Sequence, residues 1–185
     1  VFANAQTGNI VLLSQHIFAG NWADVMRYLM PVLSFMFGVA AATEIRQHFQ
    51  NIGRIHWRQI VILIEMSMVF LVGFLPGKMD LVANAFVSFS CAMQVQTFRK
   101  VDSYAFASTM CIGNIRSGME ALCAYRQSHN RQILYKAFHY FGIIILFAFG
   151  AGIGSILIPV FNLQTIWFSS FLLMVGFFLM FIQEK

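Results

Sequence analysis

The chain has 185 residues, 59% of them hydrophobic and only 10% charged, where a soluble domain carries about 25% charged residues. That balance leaves too little polar surface to cover a water-soluble core, and it points to a membrane protein. The net charge of +5 does not argue for nucleic acid, because the basic residues sit between apolar spans, where membrane topology accounts for them. Three cysteines, Cys91, Cys111 and Cys123, make an odd number, and none stands in a Cys-x-x-Cys pair. They give neither a disulfide framework nor a zinc site and read as small buried hydrophobes; no metal or cofactor is expected.

A bilayer core of roughly 30 Å needs about 20 apolar residues as helix. Residues 10–19 are apolar but too short to span, and Gly20-Asn21 ends them. Residues 24–45 give a full span with Pro31 in its first turns, followed by a polar loop at 46–58 carrying Arg46, His48, Arg54, His56 and Arg58. The next span covers 59–75 and stops at the turn signal Pro76-Gly77. Residues 81–98 form another span, polar for its kind with Asn84, Gln94 and Gln96, and 99–112 read as irregular. A short helix is expected over 113–127, with Arg116 and Glu120 spaced for an ion pair on one face. A basic connector with Arg126, Arg131 and Lys136 leads to a long span at 137–158. Pro159 and Asn162 mark a turn before the uncharged span 163–182.

The chain also repeats itself. Thr7-Gly8-Asn9-Ile10 returns as Ile112-Gly113-Asn114-Ile115, 105 residues on, and each copy follows a small, polar run opened by Phe-Ala, at Phe2-Ala3 and Phe106-Ala107. Phe35-Met36-Phe37-Gly38 returns as Phe147-Ala148-Phe149-Gly150, 112 residues on. The shift from 105 to 112 places a seven-residue insertion in the connector of the second copy. The expected fold is therefore all-α: a polytopic membrane helix bundle of two repeats, 1–76 and 77–185, forming one membrane domain. Each repeat has three spanning helices and one short re-entrant helix. The chain starts at Val1 inside the first repeat, so its opening helix, an N-terminal piece, is expected to be missing from this sequence. Three spans is an odd number, which inverts the second copy, as in many secondary transporters. With 46–58 in the cytoplasm, nine of the twelve Lys and Arg face inward, including Arg99, Lys100 and Lys185, while Arg27 and Lys78 face out. This asymmetry holds only if 113–127 re-enters rather than crosses.

Five residues carry the expected substrate site: Thr7, Gly8, Asn9, Gly113 and Asn114. Gly and Asn tolerate backbone shapes that other residues resist, and irregular backbone at membrane depth survives only against protein or a water-filled cavity. The bland alternative is a helix start that packs the halves together. Glu65 lies inside an apolar span, where an ionisable group costs roughly 2.5–3.5 kcal/mol on insertion scales. It reads as a proton-coupling carboxylate or as a structural hydrogen-bond partner. Gln94, Arg116 and Glu120 are candidate secondary polar contacts, though amides at such depth more often bridge helices. Gly150-Ala151-Gly152-Ile153-Gly154 is no dinucleotide fingerprint, because no strand precedes it. Gly150 and Gly154, like Gly38 and Ala42, are spaced for close helix packing.

Thr7-Gly8-Asn9-Ile10 followed by Val11-Leu12-Leu13 and Gly20-Asn21-Trp22 resembles the YoaK-like family of bacterial integral membrane proteins, over the whole chain from just after that family's first helix. Ile112-Gly113-Asn114-Ile115 stands where the family's second motif has Thr-Gly-x-Leu, so the Thr is lost there. The resemblance implies an integral membrane protein, in keeping with a bacterial inner membrane, and supplies no substrate. No enzyme motif is present, so the chain is not read as an enzyme. The leading expectation is a small secondary transporter or permease for a small polar or anionic solute, with its site between the inverted halves and its C-terminus cytoplasmic. The rivals are a non-transporting membrane scaffold or partner-binding protein, then a membrane enzyme. The expected partners are the lipid bilayer and a small solute.

Overall fold

The computed structural model describes residues 3–50, 56–101, 104–105 and 110–183, with side chains for all of these except 100–101, 104–105 and 181–183. Phe2, Arg54, the run Phe106–Thr109 and Lys185, all used in the sequence reading, lie outside the described residues.

Among the described residues the chain is all-α apart from one pair of two-residue strands. Its helices are α1 (Gln6–Phe18), α2 (Trp22–Phe49), α3 (Trp57–Val72), α4 (Asp80–Thr97), α5 (Cys111–Ser128), α6 (Arg131–Phe161) and α7 (Ile166–Gln183). Single 3-10 turns precede α4 and α7. Strands β1 (Lys100–Val101) and β2 (Tyr104–Ala105) pair antiparallel, with Lys100 opposite Ala105. Among the described residues, two stretches are long and apolar enough to cross a membrane: Trp22–Phe49, and Arg131–Met180, which carries α6 and α7. The most apolar window of the second is not buried at all, unlike the core helix of a soluble domain.

The fold divides into two compact units, residues 1–97 with 161–185, and residues 98–160. In the first unit, α2 packs most extensively on α4. The cause is Gly38, whose missing Cβ would stand 2.5 Å from the Phe89 carbonyl oxygen and 2.7 Å from the Ala92 Cβ. One turn on, Ala42 is buried with Trp57, Val61 and Met93 in the apolar core. The spacing of Gly38 and Ala42 thus does what small residues do between helices in lipid. Helix α3 lies between α4 and α7 in its packing. Its end is shaped by Gly73, which carries the Trp167 indole where a Cβ would be.

The start of α3 is a capping box. His56 Nδ1 accepts the Arg58 amide at 3.2 Å, and Gln59 Oε1 accepts the His56 amide at 3.1 Å, satisfying two donors that a helix N-terminus leaves over. Beside it, the guanidinium groups of Arg46 and Arg58 lie over the buried Trp57 ring, at 5.6 and 5.5 Å from the centroid. Aromatic and basic residues in such company are common at a membrane–water boundary.

In the second unit α5 and α6 form a helical hairpin. The expected basic connector is not a loop: α5 runs to Ser128 and α6 starts at Arg131, so Arg126, Arg131 and Lys136 sit on helix ends. Only His129 and Asn130 join them. His129 takes a left-handed conformation, φ 53°, and its amide closes on the Tyr125 carbonyl at 2.8 Å. Asn130 Oδ1 then accepts the Gln132 amide at 2.9 Å, which caps α6. Gly118 of α5 faces the Phe141 ring of α6, where a Cβ would meet it at 3.0 Å.

The same design opens the first unit. Gly20, φ 71°, ends α1, and Asn21 precedes α2. The Asn21 amide donates to Asp24 at 2.8 Å, while His16 stacks on Tyr28 with centroids 5.3 Å apart. The two copies are offset by 105 residues at Gly8/Gly113, by 109 at Gly20/His129 and by 112 at Gly38/Gly150. Over the same stretch α5 has 18 residues where α1 has 13, and α6 has 31 where α2 has 28. Gly150 and Gly154 also depart from their counterparts, since a Cβ on either would meet nothing within 4 Å.

Candidate functional site

The Gly-Asn motifs are not turns. Each falls inside the first turn of its helix, in the same register: α1 reads Gln6-Thr7-Gly8-Asn9 and α5 reads Cys111-Ile112-Gly113-Asn114. Neither glycine has a positive φ, and a Cβ on either would meet nothing within 4 Å. The argument from glycine's backbone freedom therefore fails at both. A helical register with Gly at the third position and Asn at the fourth puts the glycine on the open side and turns the Asn about 100° away. Thr7, Gly8 and Gly113 are exposed accordingly, whereas Asn9 and Asn114 are each 2% exposed.

In the first unit Asn9 belongs to a buried polar network. Its Nδ2 donates to Gln6 Oε1 at 3.4 Å, and Gln6 Nε2 donates to the Ala3 carbonyl and to Ser88 Oγ, both at 2.9 Å. Ser88 Oγ in turn donates to the Pro31 carbonyl at 2.6 Å. The chain of bonds ties α1, α4 and α2 together. Pro31 has no amide hydrogen, so the Arg27 carbonyl one turn earlier loses its helical partner; the Ser88 hydroxyl bonds instead to the carbonyl of Pro31 itself. Gln6 and Ser88 were not singled out in the sequence. Gln6 was visible as the neighbour of Thr7-Gly8-Asn9, and Ser88 as a small hydroxyl within an apolar helix.

Glu65 lies at mid-helix in α3, 1% exposed, and its Oε1 has no hydrogen-bond partner. Ser90 Oγ of α4 and Gln59 Nε2 of α3 are likewise buried without partners. Arg58 Nε of α3 and Thr97 Oγ1 of α4 belong to the same group, so these two adjacent helices hold five such atoms; each costs about 1–3 kcal/mol and asks for an explanation. Water, a proton on the carboxyl group or a polar solute would each supply the missing bond.

The remaining candidates separate. Arg116 Nε donates to Glu120 Oε1 at 2.8 Å, as the spacing predicts, but the side chains are 80% and 61% exposed. They are a surface pair on α5, of a kind worth about 0.3–0.5 kcal/mol, rather than lining for a buried site. Gln94 is half-buried. The amide that bridges helices is Gln96, whose Nε2 donates to Thr43 Oγ1 at 3.0 Å while that hydroxyl donates to the Val39 carbonyl at 2.8 Å. Among the described residues no group of three or more His, Cys, Asp or Glu could hold a metal ion.

No curated protein and no solved structure matches the chain. A family model does, over residues 1–179. That family has no assigned function, which agrees with the uncharacterised character of the family the motifs resemble. On a match that covers nearly the whole chain, this protein belongs to the family described as protein of unknown function DUF1275.

Proposed function

We propose that the chain is a polytopic membrane protein, built from two copies of one unit that enter the bilayer from opposite sides, and that it moves a small polar or anionic solute in exchange with, or together with, a proton carried by Glu65. The observation that carries this reading is the Glu65 carboxyl group. It is buried in an apolar helix with an oxygen left unpaired, and ionisable groups retained at such a cost in a membrane mark ion or substrate paths. A group whose role was only to hold helices together would be expected to have both oxygens bonded.

Flux into liposomes holding the purified chain tests this directly. A pH-dependent flux is expected, and Glu65→Gln should leave the helical fold intact and remove the pH dependence, because the amide keeps the shape and loses the proton. Flux that retains its pH dependence in Glu65→Gln would take the proton role away from this residue.

A second reading has its own support. Asn9 is closed off by its bond to Gln6, and Ser88 is shared between Gln6 and the Pro31 carbonyl. Polar groups that satisfy each other in this way suit a non-transporting scaffold. Absence of any flux, with unaltered stability in Glu65→Gln, would favour it.

A further inference from the structure

A cavity of about 420 Å³ opens on the flank of the first unit between α3 and α7, walled by Met66, Phe70, Trp167, Phe171 and Met174. Its size falls in the range of small-ligand sites, about 300–1,000 Å³. The three polar side chains that reach it are already engaged with helix carbonyls. Ser67 Oγ donates to Leu63 at 2.8 Å, Ser170 Oγ to Met66 at 3.3 Å and Trp167 Nε1 to Phe70 at 3.2 Å. A ligand carbonyl or phosphate would find no free side-chain donor there and would lose its hydration without return.

The wall is also held in place. The Trp167 indole sits over Gly73, against Phe70 and Phe74 at centroid distances of 6.1 and 5.1 Å. The sulfurs of Met66 and Met174 supply the adaptable surface that suits a flexible apolar guest. We infer that this groove between α3 and α7 binds one acyl chain of a bilayer lipid. The inference rests on placing α3 and α7 in the membrane and not on transport. A protein with no flux could still hold the chain, so the two fail separately.

Phosphatidylcholine with acyl chains brominated at mid-chain, titrated into the full chain in maltoside micelles, reads this through tryptophan fluorescence. Saturable quenching at one lipid per chain is expected, and Trp167→Phe should remove most of it, although Trp22 and Trp57 remain. Ser67→Phe fills the groove from an exposed position and should weaken the apparent affinity about tenfold. Met174→Ala, which enlarges the groove, should keep the saturable phase and guards against a misfolded filling variant. Quenching that rises linearly without saturation, or that is unchanged in both Trp167→Phe and Ser67→Phe, overturns the proposal.

Discussion

At the scale of single residues, Gly8 and Gly38 serve different ends that the sequence does not distinguish. Gly8 lies in open space on a helix, and Gly38 lies against the Phe89 carbonyl. Gly8→Ala should therefore raise stability by about 0.4–1 kcal/mol, because the native backbone accepts alanine and the unfolded chain loses freedom. Gly38→Ala should lower it by about 1–3 kcal/mol through overpacking. Denaturation in a constant detergent, followed by circular dichroism, measures both. Equal effects would mean that α2 and α4 are not in close contact. The motif made Gly8 the conspicuous residue, yet the contact belongs to Gly38. Asn9 was legible because its motif recurs, and Glu65 because a carboxyl group in an apolar run stands out on its own. Their surroundings were not. Gln6 and Ser88 are 82 residues apart, and nothing in either local sequence names the other.

At the scale of elements, apolar runs located six of the seven helices among the described residues and the Arg116–Glu120 spacing located α5, while the helix ends were harder to read. Polar residues 46–49 continue α2 instead of starting a loop, and the charges at 126–136 belong to two helices. Both misreadings have one origin: charge marks where a helix leaves an apolar medium, not where its hydrogen bonds stop. The corner between α5 and α6 depends on His129 holding φ 53°, a conformation that costs an L-residue about 1–2 kcal/mol and glycine little. The counterpart in the first copy is Gly20. His129→Gly should accordingly stabilise the hairpin by about 1 kcal/mol, read as a higher unfolding midpoint. A lower midpoint would show that the imidazole contributes more than its backbone strain costs, for example through its contact with Tyr125 at 6.1 Å between ring centroids.

At the scale of the whole molecule, the reading concerns which way the chain threads the bilayer. Single cysteines at Gln50 and Asn130, in a background without Cys91, Cys111 and Cys123, should be labelled by an impermeant reagent from the cytoplasmic side only. Labelling of Asn130 from outside would mean that α5 crosses the membrane. Helix α5 is 18 residues long, about 27 Å, so length alone would nearly allow a crossing. Its argument against crossing is chemical, since Arg116, Glu120 and Arg126 lie on one helix. The recurrence of two short motifs is legible in the sequence, and the two Gly-Asn motifs each open a helix in the same register that ends at a left-handed corner. The unequal offsets could not be read, because a one-turn extension of a helix and an insertion in a loop leave the same gap between motifs.

The bond from Ser88 to the Pro31 carbonyl spans 57 residues, and it sets a timetable for biogenesis. At a synthesis rate of about 5–20 residues/s, α4 emerges roughly 3–11 s after the proline of α2. Until then α2 waits with the notch at Gly38 empty and its proline carbonyl without the serine. A newly made α2 is thus exposed to whatever helix or chaperone it meets first, and α3 waits longer still, because Trp167 and Ser170 of α7 follow Phe70 and Met66 by 97 and 104 residues.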